Sequence, residues 1–118
     1  MKIICTDYDG TLNHGGITGE KLSAIKKWKE AGNLFCVVSG RQKEFFFELK
    51  EKNIPVDFFL ACNGAVITDK NFNIVSDIKC KAEIGNELTE FIFSLDCSFV
   101  LFCGDEFLRI RNPVYPEK

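Results

Sequence analysis

The sequence predicts an α/β fold built on a parallel sheet, and three observations predict it. Ile3, Ile4 and Cys5 form an unbroken apolar run that stops abruptly at two acids, Asp7 and Asp9. Two further apolar runs, 34–38 and 58–62, recur with helical patterns between them. Each run ends in a polar turn: the acids after the first, Ser39-Gly40 after the second, Asn63-Gly64 after the third. Short apolar runs of this kind, alternating with helices, read as buried parallel strands. The carboxyl ends of such strands are where open α/β sheets bind ligands.

Composition sets the outer bounds. With 118 residues the chain fits one small domain that can bury a core. Its 46% hydrophobic and 27% charged content are those of a soluble globular protein. Net charge is −2, and the densest basic group, Lys26, Lys27 and Lys29, falls in a helical pattern as a solvated face, so no nucleic-acid partner is expected. The first residues lead straight into the acidic motif without a signal peptide, and no run reaches membrane-span length. A cytoplasmic location without a membrane partner is therefore expected. Six cysteines without a Cys-x-x-Cys pair are expected to be reduced. Cys5, Cys36, Cys62 and Cys103 lie in apolar runs and are expected to act as small buried hydrophobes.

The end of the first run holds the chemistry. Carboxylates one residue apart repel each other unless a cation or shared proton compensates them, which suggests a site; an Asp- and Gly-rich turn is the plainer alternative. An EF-hand loop starting at Asp7 would need glycine at position 12, where Leu12 stands. Asp-Tyr-Asp-Gly-Thr-Leu after an N-terminal apolar strand resembles the first motif of the haloacid dehalogenase superfamily, mostly magnesium-dependent phosphatases and phosphotransferases. The resemblance implies that Asp7 attacks phosphorus and that Asp9 protonates the leaving group, then activates water. It also implies Mg²⁺ held by the Asp7 side chain and the Asp9 carbonyl, with Gly10 turning the chain and Gly10 and Thr11 at the phosphate.

The later elements follow in order. Residues 13–19 form a polar, Gly-rich loop containing His14, the only histidine; it is a connector on general grounds and a flap over the site by resemblance. Thr18 is placed to cap a helix on which Leu22, Ile25 and Trp28 recur, and Ala31-Gly32-Asn33 closes it. The second strand ends in Ser39-Gly40-Arg41, similar to the superfamily's second motif, whose hydroxyl binds the phosphoryl group. Ser39, Gly40 and Arg41 are the phosphate-binding candidates, with a surface ion pair the alternative for Arg41. Residues 42–52 read as a helix with Phe45, Phe46 and Leu49 toward the sheet; Phe47 cannot share that face. Asn63 and Gly64 close the third strand. With the strand pair turning at Lys70-Asn71 they resemble the Cof-like sugar-phosphatase branch, in which a cap domain follows and contributes much of the specificity.

Beyond residue 74 the pattern fits the opening of such a cap. Residues 75–81 read as strand or linker. Residues 82–95 read as a helix with Ile84, Leu88, Phe91, Ile92 and Leu95 on one stripe, and 99–103 and 107–110 as strands around Gly104-Asp105-Glu106. Asn112-Pro113-Val114-Tyr115-Pro116 then breaks the pattern. The expected organisation is 1–69 as the N-terminal half of the superfamily core, a partial Rossmann-like parallel sheet, and 70–118 as the beginning of an α/β cap.

The branch's later lysine and acidic Gly-Asp motif have no clear counterparts. A compact reading takes Asp105 with Glu106, and Lys79 or Lys81, for those roles. The main expectation is an N-terminal portion: a phosphatase, weak or inactive alone, acting on a small phosphorylated metabolite. A non-catalytic phosphate- or partner-binding fragment is the alternative. The first strand then lies at a sheet edge, which predicts a homo-oligomer or strand-swapped dimer.

Overall fold

The computed structural model describes residues 1–95, 97–103 and 106–110. They fall into two compact units that divide after Ile78. In the first, β1 (Ile3–Asp7), α1 (Gly19–Glu30), β2 (Leu34–Val38), α2 (Phe47–Glu51), β3 (Phe58–Ala61), β4 (Val66–Asp69) and β5 (Ile74–Asp77) follow in chain order. The strands form one sheet in the order β1-β2-β3-β4-β5. β1, β2 and β3 run parallel, while β4 and β5 turn back antiparallel. The α/β fold with a mixed, largely Rossmann-like sheet is thus present.

The elements form for local reasons. Thr18 caps α1, its hydroxyl accepting the Lys21 N–H at 3.3 Å. Ile25 is buried on the inner face, with Leu22 and Trp28 packed beside it. The Trp28 indole donates to the Leu34 carbonyl at 2.9 Å. Asp57 ties the same corner, pairing with Lys29 at 2.7 Å and accepting from the Phe35 N–H at 2.9 Å. Phe35, Cys36 and Val37 are all buried, as a strand covered on both faces requires.

The segment 42–52 departs from a single helix. Lys43–Phe46 is a 3₁₀ turn that leads into the short α2. Three consecutive aromatic anchors explain the break. Phe45 meets Tyr8 edge-on at 5.0 Å, Phe46 stacks on Phe59 at 4.8 Å, and Phe47 meets Phe72 at 4.5 Å. A 3₁₀ turn spreads successive side chains by about 120°, against about 100° in an α-helix, and the three rings reach three different partners.

β1 meets one of its two expectations. The apolar run alone reads as a buried strand, yet Ile3 and Ile4 are 56% and 40% exposed, and Cys5 is exposed with them, as the edge position expected of an N-terminal portion requires. The cause is topological: β1 is the last strand on its side of the sheet, so only β2 pairs with it. Of the other cysteines expected inside, Cys36 is buried and Cys62 half-buried.

The second unit holds α3 (Ala82–Ser94), β6 (Phe99–Cys103) and β7 (Glu106–Ile110), with β6 and β7 paired antiparallel. Ile84, Leu88, Phe91 and Leu95, on the expected stripe of α3, are exposed. Gly104-Asp105 and residues 112–116 lie outside the described residues. No described helix is long and apolar enough to cross a membrane.

Candidate active site

The three parallel strands end side by side, and their turns are stitched to one another. Beyond β1, the Tyr8 N–H donates to the Val38 carbonyl of β2 at 3.1 Å. Beyond β2, Ser39 N–H donates to the Leu60 carbonyl of β3 at 2.9 Å. After β3 the chain returns the bonds: Cys62 N–H reaches the Arg41 carbonyl at 2.8 Å and Asn63 N–H the Ser39 carbonyl at 3.1 Å. Asp7, Asp9, Ser39, Gly40, Arg41 and Asn63 thereby gather at one end of the sheet.

Each turn takes a backbone form its sequence permits. Gly10 sits at φ +75° with open space around it, a left-handed position that glycine occupies without strain. The 3₁₀ turn Cys62–Gly64 carries φ values of 51°, 57° and 93° at its successive residues. Asn and Gly tolerate that region, whereas Cys62 does so at a cost. Gly40 is placed tightly for another reason: a Cβ there would lie 3.1 Å from Asn63 Oδ1, so that side chain would have to give by a few tenths of an ångström. Burial, and then the charges of Glu44 and Asp77, push the Cys62 thiol up.

The charged groups are arranged unevenly. Arg41 grips Asp9 side-on, Nε to Oδ2 and Nη2 to Oδ1, both at 2.8 Å. The same guanidinium lies 4.0 Å over the Phe45 ring. The alternative of an ion pair for Arg41 is thus the arrangement found. Ser39 is buried, and its hydroxyl oxygen accepts the Arg41 N–H at 3.2 Å, leaving its own O–H to donate. The carboxylate of Asp7 is exposed, and no described side chain engages it. Thr11 and Gly10 lie on the loop after β1, and Gly64 beside Asn63; no described contact joins these three to Ser39.

The loop after β1 is built more firmly than its glycines suggest. Leu12 N–H returns to the Asp7 carbonyl at 3.1 Å and Asn13 N–H to that of Tyr8 at 2.9 Å. The Lys21 ammonium then donates to the carbonyls of Leu12, His14 and Gly16 at 2.9, 2.9 and 2.8 Å. Three donors meet three acceptors, which saturates the group. No residue pattern signals this clamp, since a lysine in a first helical turn reads as solvated. His14 contributes its backbone carbonyl here.

Among the described residues, no three His, Cys, Asp or Glu side chains gather as a metal cage. The oxygen donors at the β1 end nonetheless suit a hard cation such as Mg²⁺, which keeps several waters and takes one or two carboxylates. The exposed, unengaged Asp7 carboxylate fits that mode.

Comparison with known proteins agrees. The sequence profile of the haloacid dehalogenase-like hydrolases matches residues 4–117. The chain is 30% identical over 114 residues to the 5-amino-6-(5-phospho-D-ribitylamino)uracil phosphatase YwtE of Bacillus subtilis (strain 168), covering 92% of this chain and 38% of that protein. To the phosphatase YcsE of the same organism, described by the same substrate, it is 34% identical over 77 residues, 64% of this chain and 31% of that one. A haloacid dehalogenase-like hydrolase structure from B. subtilis superposes with a TM-score of 0.79 at 22% identity, covering 91% of this chain and 38% of the other, a likeness of fold. The chain thus spans less than half the length of these relatives. With the profile matched over nearly every residue and the three strand ends converging on paired acids and a hydroxyl, the chain belongs to the haloacid dehalogenase-like hydrolase family.

Proposed function

We propose that this chain carries the nucleophile end of a phosphomonoesterase site that works through an aspartyl-phosphate. The observation that supports it is the convergence of an unengaged Asp7 carboxylate, Asp9 and the Ser39 hydroxyl on adjoining strand ends. Asp7 attacks phosphorus, forming the acyl phosphate as the ester oxygen leaves. Asp9 gives that oxygen its proton and later takes one from the hydrolytic water. Ser39 donates its O–H to a phosphoryl oxygen. Arg41 must be shared between Asp9 and the phosphate, so its present grip on Asp9 is the resting arrangement.

Asp7, with the Asp9 carbonyl, would hold Mg²⁺, which when bound supplies positive charge beside two anionic groups. The substrate class is a small phosphorylated metabolite; phosphatases named for a ribityl phosphate are relatives. The chain aligns with 38% of YwtE, so we place the remaining charge-stabilising groups outside these 118 residues and expect weak or no turnover by the chain alone. The test is Mg²⁺-dependent hydrolysis of an aryl phosphate by this chain and by Asp7→Asn. Binding of Mg²⁺ or inorganic phosphate with neither turnover nor a phosphoryl group trapped on Asp7 would favour the non-catalytic reading instead.

A further inference from the structure

Cys5 and Cys36 face each other directly across the β1–β2 pair. They are register partners on neighbouring parallel strands, so their side chains emerge on the same face of the sheet. Neighbouring strands lie about 4.8 Å apart, inside the roughly 4.4–6.8 Å Cα separation that a disulfide spans. Cys5 is also one of the groups that push the Cys36 thiol up, after burial itself. Their environments differ sharply: Cys5 is exposed on the edge strand and Cys36 is 3% exposed beneath it. One thiol is open to reagents, and the other is within reach of the first and sheltered from everything else.

We propose that Cys5 and Cys36 are a peroxide-oxidisable pair that closes into a reversible cross-strand disulfide. The Cys5 sulfur attacks the peroxide O–O bond and takes one oxygen as sulfenic acid; the other leaves as water with the thiol proton. Cys36 then attacks the Cys5 sulfur. The S–S bond forms as the S–O bond breaks, and the released hydroxide takes the Cys36 proton to become a second water. Two electrons pass from the two thiols to one peroxide molecule. Burial, with the neighbouring Cys5 next, pushes Cys36 up to about 11, so Cys36 is held as a thiol and Cys5 is the group that meets the oxidant first. Bridges between adjacent strands are confined in their dihedrals, and such strained disulfides are the easily reduced ones. The bond fastens the open edge of the sheet two residues before Asp7 and leaves the site reducible.

The experiment treats the folded chain with hydrogen peroxide, alkylates the remaining thiols, and maps the digest by mass spectrometry. The expected product is a Cys5–Cys36 linked peptide that disappears on dithiothreitol treatment, with a reversible rise in melting temperature. Cys5→Ser, a change at an exposed position, is expected to leave Cys36 unmodified by the same peroxide treatment and to abolish the rise. In Cys36→Ala, Cys5 is expected to accumulate as sulfenic or sulfinic acid. Wild-type chain in which Cys5 overoxidises, or couples to a second chain while Cys36 stays a free thiol, would overturn the proposal. So would oxidation of Cys36 in Cys5→Ser.

Discussion

Arg41 shows how much one side chain decides at this site. Its two bonds to Asp9 have the geometry of a strong carboxylate fork, yet both side chains are about half exposed, 48% and 49%. Exposed pairs contribute little to stability, so Arg41→Met is expected to cost below about 1 kcal/mol in urea unfolding. It is expected to weaken inorganic phosphate binding far more than it weakens the fold, because the freed Asp9 charge then faces the anion alone. Lys21 behaves in the opposite way. All three of its carbonyl bonds are charge-assisted, and the one to Leu12 is partly buried. Lys21→Met is expected to cost about 1–2 kcal/mol and to speed amide exchange at Leu12, Asn13 and His14 severalfold, leaving exchange in β2 unchanged. Equal protection in both proteins would show that the loop holds its shape without the clamp. Cys36 adds a pH dependence. Its thiol is raised from 9.0 to about 11, first by burial, so it stays neutral in the folded chain at pH values where the unfolded thiol ionises. A raised pKa means that this contribution to stability is complete below 9.0 and is lost as pH climbs through about 11. Stability measured by urea unfolding is expected to fall across that window, and less steeply in Cys36→Ala.

At the scale of elements, the strands and their order were legible because apolar runs with polar ends leave few alternatives. The first helix was legible from its cap and its stripe, Leu22, Ile25 and Trp28. Two features escaped for identifiable reasons. The helix over 42–52 split because Phe45, Phe46 and Phe47 each found a different ring, a tertiary preference that periodicity does not encode. The edge position of β1 was expected of an N-terminal portion, although the apolar run itself looks the same at an edge as at the centre of a sheet. The Lys21 clamp escaped because carbonyl direction in a loop is set by backbone angles rather than by residue type. At the site, the acids and the hydroxyl stood in the sequence; the Arg41–Asp9 grip and the Gly40–Asn63 contact needed the fold. Phe46 is the aromatic the packing depends on, fully buried between Phe45 and Phe59. Phe46→Ala is expected to cost about 3–5 kcal/mol, whereas Phe47→Ala, at an exposed ring, is expected to cost much less; urea midpoints compare the two.

At the scale of the whole molecule, the first unit presents an unpaired strand edge with Ile3 and Ile4 exposed, and it has neither a proline nor a bulge there to discourage pairing. We therefore propose that the isolated chain self-associates through β1, and sedimentation at micromolar concentration is expected to show a dimer or larger species. A clean monomer would count against a sticky edge. The family assignment does not depend on that outcome, but the meaning of Asp7 does depend on chemistry. The most direct measurement is hydrolysis of an aryl phosphate by this chain, with and without Mg²⁺, beside Asp7→Asn under the same conditions. The account predicts slow turnover, or acid-stable phosphorylation trapped on the chain, that requires Mg²⁺ and vanishes in Asp7→Asn. Turnover that survives Asp7→Asn, or a phosphoryl group found on another residue, would contradict it.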